Sequence, residues 1–175
     1  MAGVVIGIIG KIRSGKSSLS RALSENLNFP HVSFGDQVRS ITRQRGLEPS
    51  REVLQEIGED LVQRSAKEFC EAVLKQVPWQ RGQSLIVDGI RHLKIVEILC
   101  DLVRPSVLRL VYVRTADDVR ESRLADEIHS PQDLEKIDHH STEEQVGTIL
   151  PGLADLTVDG EKPIEDVISE VRAWL

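Results

Sequence analysis

A short turn bracketed by two glycines, between an apolar run and a helix, constrains the fold of this chain more than any other feature. Residues Val4 to Ile9 form a continuous apolar run, typical of a strand buried on both faces. Residues 10–17 read Gly-Lys-Ile-Arg-Ser-Gly-Lys-Ser and fit the pattern G-x-x-x-x-G-K-[ST] at every fixed position. Helical leucine spacing follows from Lys16 to Leu27. This order predicts a strand, a phosphate-binding loop (P-loop) and a helix.

The spacing within the P-loop fits recognition of the phosphates of a nucleotide. Gly10 and Gly15 allow the backbone to curl, so that successive N–H groups point at one anion beside the helix dipole. Lys16 is placed to bridge the β- and γ-phosphates, and the Ser17 hydroxyl to bind Mg²⁺. The sequence therefore predicts ATP and Mg²⁺ as ligands, with a nucleotide site made of Gly10, Ile12, Arg13, Ser14, Gly15, Lys16, Ser17 and Ser18.

Strand and helix patterns alternate along the rest of the chain. Further strands are predicted at residues 31–33, 84–87, 107–113 and 156–158, with helical segments between them. Aromatic residues are only 3% of the chain, so the core must be aliphatic. We expect a three-layer α/β fold of the P-loop NTPase class, with a five-stranded parallel sheet flanked by helices. Residues 1–175 are predicted to form one domain, with a helical region at about 34–77 and a polar insertion at about 126–146.

Composition limits the classes of partner that the chain is expected to bind. Its formal net charge of −6 argues against broad adhesion to nucleic acid or to anionic lipid. The apolar run at the start lacks a basic region before it and is too short to span a bilayer. Cys70 and Cys100 do not form a C-x-x-C motif and are expected to be reduced thiols in the core. These features predict a cytoplasmic protein without broad contact to nucleic acid or to a membrane.

Asp88 is a second candidate for metal binding. It follows the apolar residues 84–87, and the carboxyl ends of parallel strands converge on the ligand crevice. A carboxylate at that edge can hold Mg²⁺ together with Ser17, directly or through water. Asp88-Gly89 is also a common turn pair. The metal role is the favoured interpretation because of the P-loop.

Three further segments resemble the adenylate kinases and related nucleoside monophosphate kinases. Residues 32–39, Val-Ser-Phe-Gly-Asp-Gln-Val-Arg, look like the acceptor segment of that family. Residues 88–91, Asp-Gly-Ile-Arg, are similar to its Asp-Gly-Phe-Pro-Arg with one residue missing. Residues 111–113, followed by Arg123-Leu124, resemble its fourth strand and the arginine that opens its lid.

The resemblance implies roles for residues around the P-loop. The region at 34–77 would bind the acceptor, and the insertion at 126–146 would be a lid. Arg123 would neutralise charge on the transferred phosphoryl group beside Lys16 and Asp88, and Arg120, one turn earlier, is an alternative. The turn at residues 159–160 would border the adenine. The resemblance also implies an acceptor site in which arginines clamp a phosphate, made of Ser33, Gly35, Asp36, Arg39 and Arg91.

The lid departs from the adenylate kinase pattern. No arginine occurs between Leu124 and Val171, whereas that family carries several in and after its lid. Residues 138–143 instead resemble an Asp-x-His-x-x-Glu stretch of adenylate-kinase-like proteins. His139 with Glu143, or His140 with Glu144, has the i, i+4 spacing of a helical metal pair. Solvated polar lid residues are the simpler interpretation.

The sequence as a whole favours an ATP-dependent kinase that phosphorylates a nucleoside or deoxynucleoside monophosphate. A hydroxyl acceptor is the alternative, as in dephospho-coenzyme A kinase, whose P-loop is similar, and Asp36 would then be the general base. An ATP-binding regulatory module with slow hydrolysis is a third hypothesis. GTPase and ABC signatures are missing, and an AAA+ module is normally longer than this chain. The sequence encodes neither the identity of the acceptor nor the oligomeric state.

Overall fold

Five parallel strands form one sheet in the order β2-β3-β1-β4-β5. The structure is a computed structural model and describes residues 3–124, 139 and 141–175. The expected five-stranded parallel sheet is confirmed, and the predicted strand positions are correct to within one residue. The strands are β1 Val4–Ile9, β2 His31–Ser33, β3 Leu85–Asp88, β4 Val107–Arg114 and β5 Leu156–Asp159.

Helices connect the strands and cover both faces of the sheet. They are α1 Lys16–Leu27, α2 Phe34–Gln44, α3 Arg51–Leu74, α4 Leu93–Leu102, α5 Asp117–Arg123, α6 Ser141–Thr148 and α7 Ile164–Trp174, with a short 3₁₀ helix at Leu150–Leu153. Within the described part of the chain, none of these helices is long and apolar enough to cross a bilayer.

Strand β1 shows why the fold has three layers. Val5 and Ile9 pack into the core shared with α2, α3, α4 and α6, whereas Ile6 and Ile8 pack into the core shared with α1 and α7. All four side chains are fully buried. Burying such a side chain contributes about 1.5–3 kcal/mol, so an uninterrupted apolar run is stable only between two helical layers.

The two cysteines differ in their surroundings. Both are free thiols, and Cys70 is buried as expected. Cys100 is exposed, so the prediction that it lies in the core is wrong. It lies on the exposed part of α4, about 100° around the helix from the buried Leu99.

Helix α3 is broken at Ser65, which the helical pattern did not reveal. Ser65 has φ −148° and ψ 43°, values outside the helical region. The Lys94 ammonium donates to the Val62 carbonyl at 3.1 Å, and the Ala66 N–H would be the normal helical donor to that carbonyl. A side chain that inserts into the helical ladder is a recognised cause of a kink. Several residues of α3 that precede the break line a cavity described below, namely Arg51, Leu54, Gln55, Gly58 and Val62.

Lys94→Met should destabilise the protein. The substitution keeps an unbranched apolar stem but removes the donor to the Val62 carbonyl, and a net hydrogen bond contributes about 0.5–1.5 kcal/mol. Urea unfolding should show a loss in this range with an unchanged m-value. Lys75→Met, at an exposed lysine beyond the end of α3, is the control. Equal stabilities of the two variants would contradict this account of the break.

Candidate active site

A cavity of about 680 Å³ opens at the carboxyl ends of β1, β2 and β3. One wall is the P-loop with the start of α1, and the opposite wall is α2 with the first half of α3. Asp88, the last residue of β3, lies between the two walls, and Gly89, Arg91 and His92 after it complete the wall formed by α2 and α3. Small-molecule sites of enzymes typically enclose about 300–1,000 Å³, so a nucleotide-sized ligand fits this volume.

The P-loop adopts the curled backbone that its glycines predict. Gly15 has φ 93°, a left-handed conformation that favours glycine, and it caps α1 with no side-chain hydrogen bond of its own. Gly10 lies so close to the loop that an added Cβ would be 2.5 Å from the Ser14 hydroxyl oxygen. The first N–H groups of α1 therefore remain available to an anion.

Side chains of the segment after β4 hold the P-loop from outside. Thr115 Oγ1 donates to the Ser14 carbonyl at 2.9 Å, and Arg120 Nε donates to the Ile12 carbonyl at 2.9 Å. Arg123 Nη1 donates to the carbonyl of Arg13 at 3.0 Å. Because a peptide unit is planar, outward carbonyls turn the following N–H groups inward, where the Ser14 N–H donates to the Lys11 carbonyl at 3.1 Å.

Arg123 and Arg120, the two arginines expected near the transferred phosphate, both bond the backbone of the P-loop. Arg123 is exposed and also donates to the Gly160 carbonyl at 3.1 Å, while Arg120 is fully buried and bonded to Asp117 at 2.8 Å. Neither side chain lines the cavity. The structure shows both arginines as supports of the P-loop, and the catalytic role of Arg123 stays a prediction.

Ser17 and Asp88 meet as expected for a metal pair. The Ser17 hydroxyl donates to Asp88 Oδ2 at 2.8 Å. Asp88 is 5% exposed, and its Oδ1 has no hydrogen-bond partner among the described residues. A buried carboxylate oxygen without a partner is costly. Magnesium binds oxygen ligands and keeps part of its water shell, so this oxygen pair at the P-loop fits the ion.

Lys16 is the most perturbed group of the cavity. Its side chain is buried, and its ammonium donates to the Lys11 carbonyl at 3.3 Å. Burial, followed by the charge of Arg91, lowers the pKa of Lys16 to about 7, with smaller lowering by other arginines and an opposing effect of Asp88. The ammonium form therefore lacks a sufficient counter-charge, which the phosphates of a nucleotide would supply.

The acceptor residues predicted from resemblance come together on the opposite wall. Ser33, Gly35, Asp36, Arg39 and Arg91 all line the cavity. Arg39 Nη1 contacts Asp36 Oδ1 at 2.7 Å, and both side chains are about half exposed. The Ser33 hydroxyl accepts from the Asp36 N–H at 3.3 Å and so caps α2. The sequence therefore identified a set of residues that share one wall.

The sequence analysis missed Arg51. This residue begins α3 and lines the cavity with Arg39 and Arg91. Burial lowers the pKa of Arg91 to about 10 against the opposing charge of Asp88, and Arg51 and Arg39 each lower it further. All three arginines line the same cavity. A basic residue at the first position of the acceptor-side helix was the available signal. Other cavity residues not singled out from sequence include Arg21, Gln55, Gly58 and His92.

The metal interpretation of the lid histidines gains no support from the described residues. His140 and residues 126–138 of the expected lid lie outside the described part of the chain. His139 lies in a turn and is exposed. Glu143 is buried, accepts from the Ile12 N–H at 3.0 Å and forms an ion pair with Arg91. No cluster of three potential metal ligands occurs among the described residues.

Comparison with known proteins places this geometry among P-loop proteins. The family model AAA_18, described as an AAA domain, matches residues 6–146. A UPF0200 protein of Thermococcus onnurineus is 27% identical over 97% of this chain and 95% of its own length. Adenylate kinase 1 of a Nostoc species is 25% identical over 95% of this chain and 96% of its own. Shikimate kinase from Aquifex aeolicus superposes with a TM-score of 0.57 at 18% identity, covering 98% of this chain and 95% of that one.

These comparisons confirm the α/β P-loop kinase fold and the expected kinase resemblance. They also correct one inference from sequence. Chain length was taken to disfavour an AAA+ module, yet the matching family carries the AAA name. Length alone was a poor criterion, because a chain of 175 residues accommodates the matched region of 6–146 in full.

The pKa of Lys16 makes ATP affinity dependent on pH. Phosphates stabilise the ammonium form, so binding should raise this pKa from about 7. Above that pH, binding must take up a proton, and affinity should fall by up to about tenfold per pH unit. Below it Lys16 is protonated in both states and contributes no dependence. Titration calorimetry at about pH 8.5 in buffers of different ionisation enthalpy should show proton uptake approaching one per ATP.

Lys16→Arg is the control for this dependence, because its guanidinium remains charged throughout the range. ATP is fully ionised above about pH 7.5, so its own titration does not interfere there. A wild-type affinity that is constant between about pH 7.5 and 9.5, without proton uptake, would contradict the assignment.

Proposed function

We propose that this chain, which belongs to the AAA_18 family of AAA domains, is an ATP-dependent phosphotransferase. It moves the γ-phosphate of MgATP onto a nucleoside or deoxynucleoside monophosphate. The observation that carries the proposal is the cavity itself, which has a P-loop on one wall and Arg39, Arg51 and Arg91 on the other. A site with cations at both ends suits a reaction between two phosphates.

The P-loop wall is suited to the donor. Inward N–H groups and Lys16 would hold the β- and γ-phosphates, and Ser17 with Asp88 would hold Mg²⁺. When bound, the ion neutralises charge on the phosphates of the donor. Lys16 would offset the negative charge that develops on the oxygen between the β- and γ-phosphates as that bond breaks and ADP leaves. Catalysis on this wall is positioning and electrostatics, with no proton transfer.

The arginine wall is suited to an acceptor that already carries negative charge. A phosphate acceptor is largely ionised near neutral pH, so its oxygen attacks without a general base. Arg39 and Arg91 would clamp it, and Arg51 adds a third cation. The likeness to adenylate kinase 1 supports the same acceptor class.

One part of the cavity surface is apolar. It lies between α2, α3 and α4 and is lined by Phe34, Val38, Leu54, Val62, Phe69 and Ile95. Phe34 and Phe69 meet edge to face with centroids 5.1 Å apart, which fixes the floor of this region. Gln55 lies among these residues and offers both a donor and an acceptor. A flat heterocycle with polar edges, such as a nucleobase, is complementary to this surface.

Lys16→Ala should abolish productive ATP use. Removing one charge-assisted contact costs about 1.5–3 kcal/mol, which is roughly a 10- to 150-fold loss, and more where the contact tightens in the transition state. ATP binding and coupled ATP consumption measure the two effects. Lys75→Ala, at an exposed lysine remote from the cavity, is the matched control. Normal affinity and turnover in Lys16→Ala would exclude the P-loop as the donor site.

The arginine wall predicts which variants lose activity. With the best monophosphate from a panel, Arg39→Ala and Arg91→Ala should each lower kcat/KM by roughly 10- to 150-fold. Asp36→Asn should be mild, because no proton must be removed from a phosphate acceptor. Arg64→Ala, an 80% exposed arginine of α3, is the matched control.

The same variants distinguish the alternatives. A hydroxyl acceptor requires a base, so Asp36→Asn would lose about a hundredfold or more while the arginine variants stay near normal. That pattern would replace the monophosphate acceptor by a hydroxyl compound. Slow ATP hydrolysis with no transfer to any tested acceptor would favour a regulatory module.

A further inference from the structure

Glu143 joins the two walls of the cavity. One carboxylate oxygen, Oε2, accepts from the Ile12 N–H of the P-loop at 3.0 Å. The other, Oε1, forms an ion pair with Arg91 Nη1. The residue is 1% exposed. A single buried side chain therefore connects the donor loop to an arginine of the acceptor wall.

The helix that carries Glu143 is fixed by its neighbours. Val146 is fully buried in the core beside α3. The Gln145 side chain accepts from the Leu93 N–H at 2.8 Å and so caps α4, whose own N-cap residue His92 makes no such bond. Helix α6 also packs against the P-loop, since a Cβ on Gly147 would be 3.0 Å from Lys11 Cε. This packing holds Glu143 at a defined position.

Glu143 contacts Arg91 without lining the cavity itself. The Arg91 side chain is 30% exposed and lines the cavity, whereas the Glu143 side chain is 0% exposed and does not line it. An incoming phosphate could displace Glu143 only by leaving a buried carboxylate without its counter-charge, which is strongly unfavourable. A phosphate would therefore bind the open edge of the same guanidinium. The planar guanidinium has five donors and can serve both partners at once.

Arg91 also needs a counter-charge near Lys16. Its charge is the second cause, after burial, of the lowered pKa of Lys16. Two cations facing one cavity repel each other until substrates arrive. Glu143 supplies a negative charge that stays with the protein and keeps Arg91 in place during that interval.

We propose that Glu143 is a positioning residue for phosphoryl transfer. It contacts neither substrate and acts by holding the Arg91 guanidinium at a fixed place relative to the P-loop. An acceptor phosphate bound to Arg91 is then aligned with the γ-phosphate of ATP. This role rests on the proposed function. It also accounts for a glutamate that the sequence offered only as a lid residue or a metal ligand.

Glu143→Gln tests the role with little change of shape. The amide oxygen can still accept from the Ile12 N–H, but the charge opposite Arg91 is lost. We expect the KM of the acceptor to rise at least about tenfold while the KM of ATP changes less than about threefold. Glu144→Gln, the adjacent exposed carboxylate of α6, should match wild type in both constants. Melting curves of all variants check the fold.

A double variant tests whether Glu143 acts through Arg91. Adding Glu143→Gln to Arg91→Ala should cause no further loss of acceptor affinity. A further tenfold loss would mean that Glu143 acts through the P-loop alone, and would overturn the proposal. If the variants fail to fold, NMR of the wild type decides. Restricted rotation of the Arg91 guanidinium supports the ion pair, and free rotation overturns it.

The affinity of inorganic phosphate tests this inference independently of the proposed function. Phosphate serves as a probe of the arginine wall, with the P-loop filled by a non-hydrolysable ATP analogue and Mg²⁺, and needs no turnover. Phosphate affinity about tenfold weaker in Glu143→Gln supports the role, even if the wild type phosphorylates no monophosphate and the proposed function fails. Unchanged phosphate affinity, in an enzyme that does phosphorylate monophosphates, overturns the role alone. Tighter phosphate binding would also overturn it, since Glu143 would then compete with the acceptor.

Discussion

The shape of the P-loop depends on hydrogen bonds to its outward carbonyl groups. The carbonyls of Ile12, Arg13 and Ser14, three residues in succession, accept from side chains of the segment that follows β4. A loop in a left-handed conformation at Gly15 has no helical or sheet partners for these groups, and unpaired buried carbonyls are costly. Hydrogen bonds from outside satisfy these carbonyls and fix the loop beside the first turn of α1, whose residues Lys16, Ser17 and Ser18 line the cavity. Arg120 and Arg123 thus stabilise the P-loop, although the resemblance assigned Arg123 to the opening of a lid.

Strand order then decides which residues share the cavity. Strand β3 lies between β1 and β2, and its last residue, Asp88, pairs in register with Ile8 of β1 and with Ser33 of β2. The P-loop leaves β1 one residue after Ile9, and α2 leaves β2 directly after Ser33. The contact between Ser17 and Asp88 and the position of the two cavity walls therefore follow from the parallel pairing of the strands. Residues distant in sequence meet because three strands end at one edge.

Local patterns predicted the parts of the site that depend on local structure. The P-loop, the strands and Asp88 followed from a motif and from apolar runs, and resemblance added the acceptor residues. The remaining features depend on contacts between distant residues. Glu143 binds a residue 131 positions away, Arg120 one 108 away, and Lys94 reaches α3 across 32 positions. No spacing rule encodes such pairs, because packing of whole elements brings them together.

Charge placement explains how a chain of net charge −6 can form a positive cavity. Arg39 is paired with Asp36, Arg91 with Glu143, and the buried ammonium of Lys16 is partly offset by Asp88. Each carboxylate offsets part of the positive charge of its partner in the empty cavity. The charge of Lys16 is not fully offset, because burial and Arg91 lower its pKa to about 7 against the effect of Asp88. The site is therefore balanced for the arrival of anions. An anion bound beside Lys16 would supply the counter-charge that its ammonium form lacks, so the empty cavity favours anionic ligands.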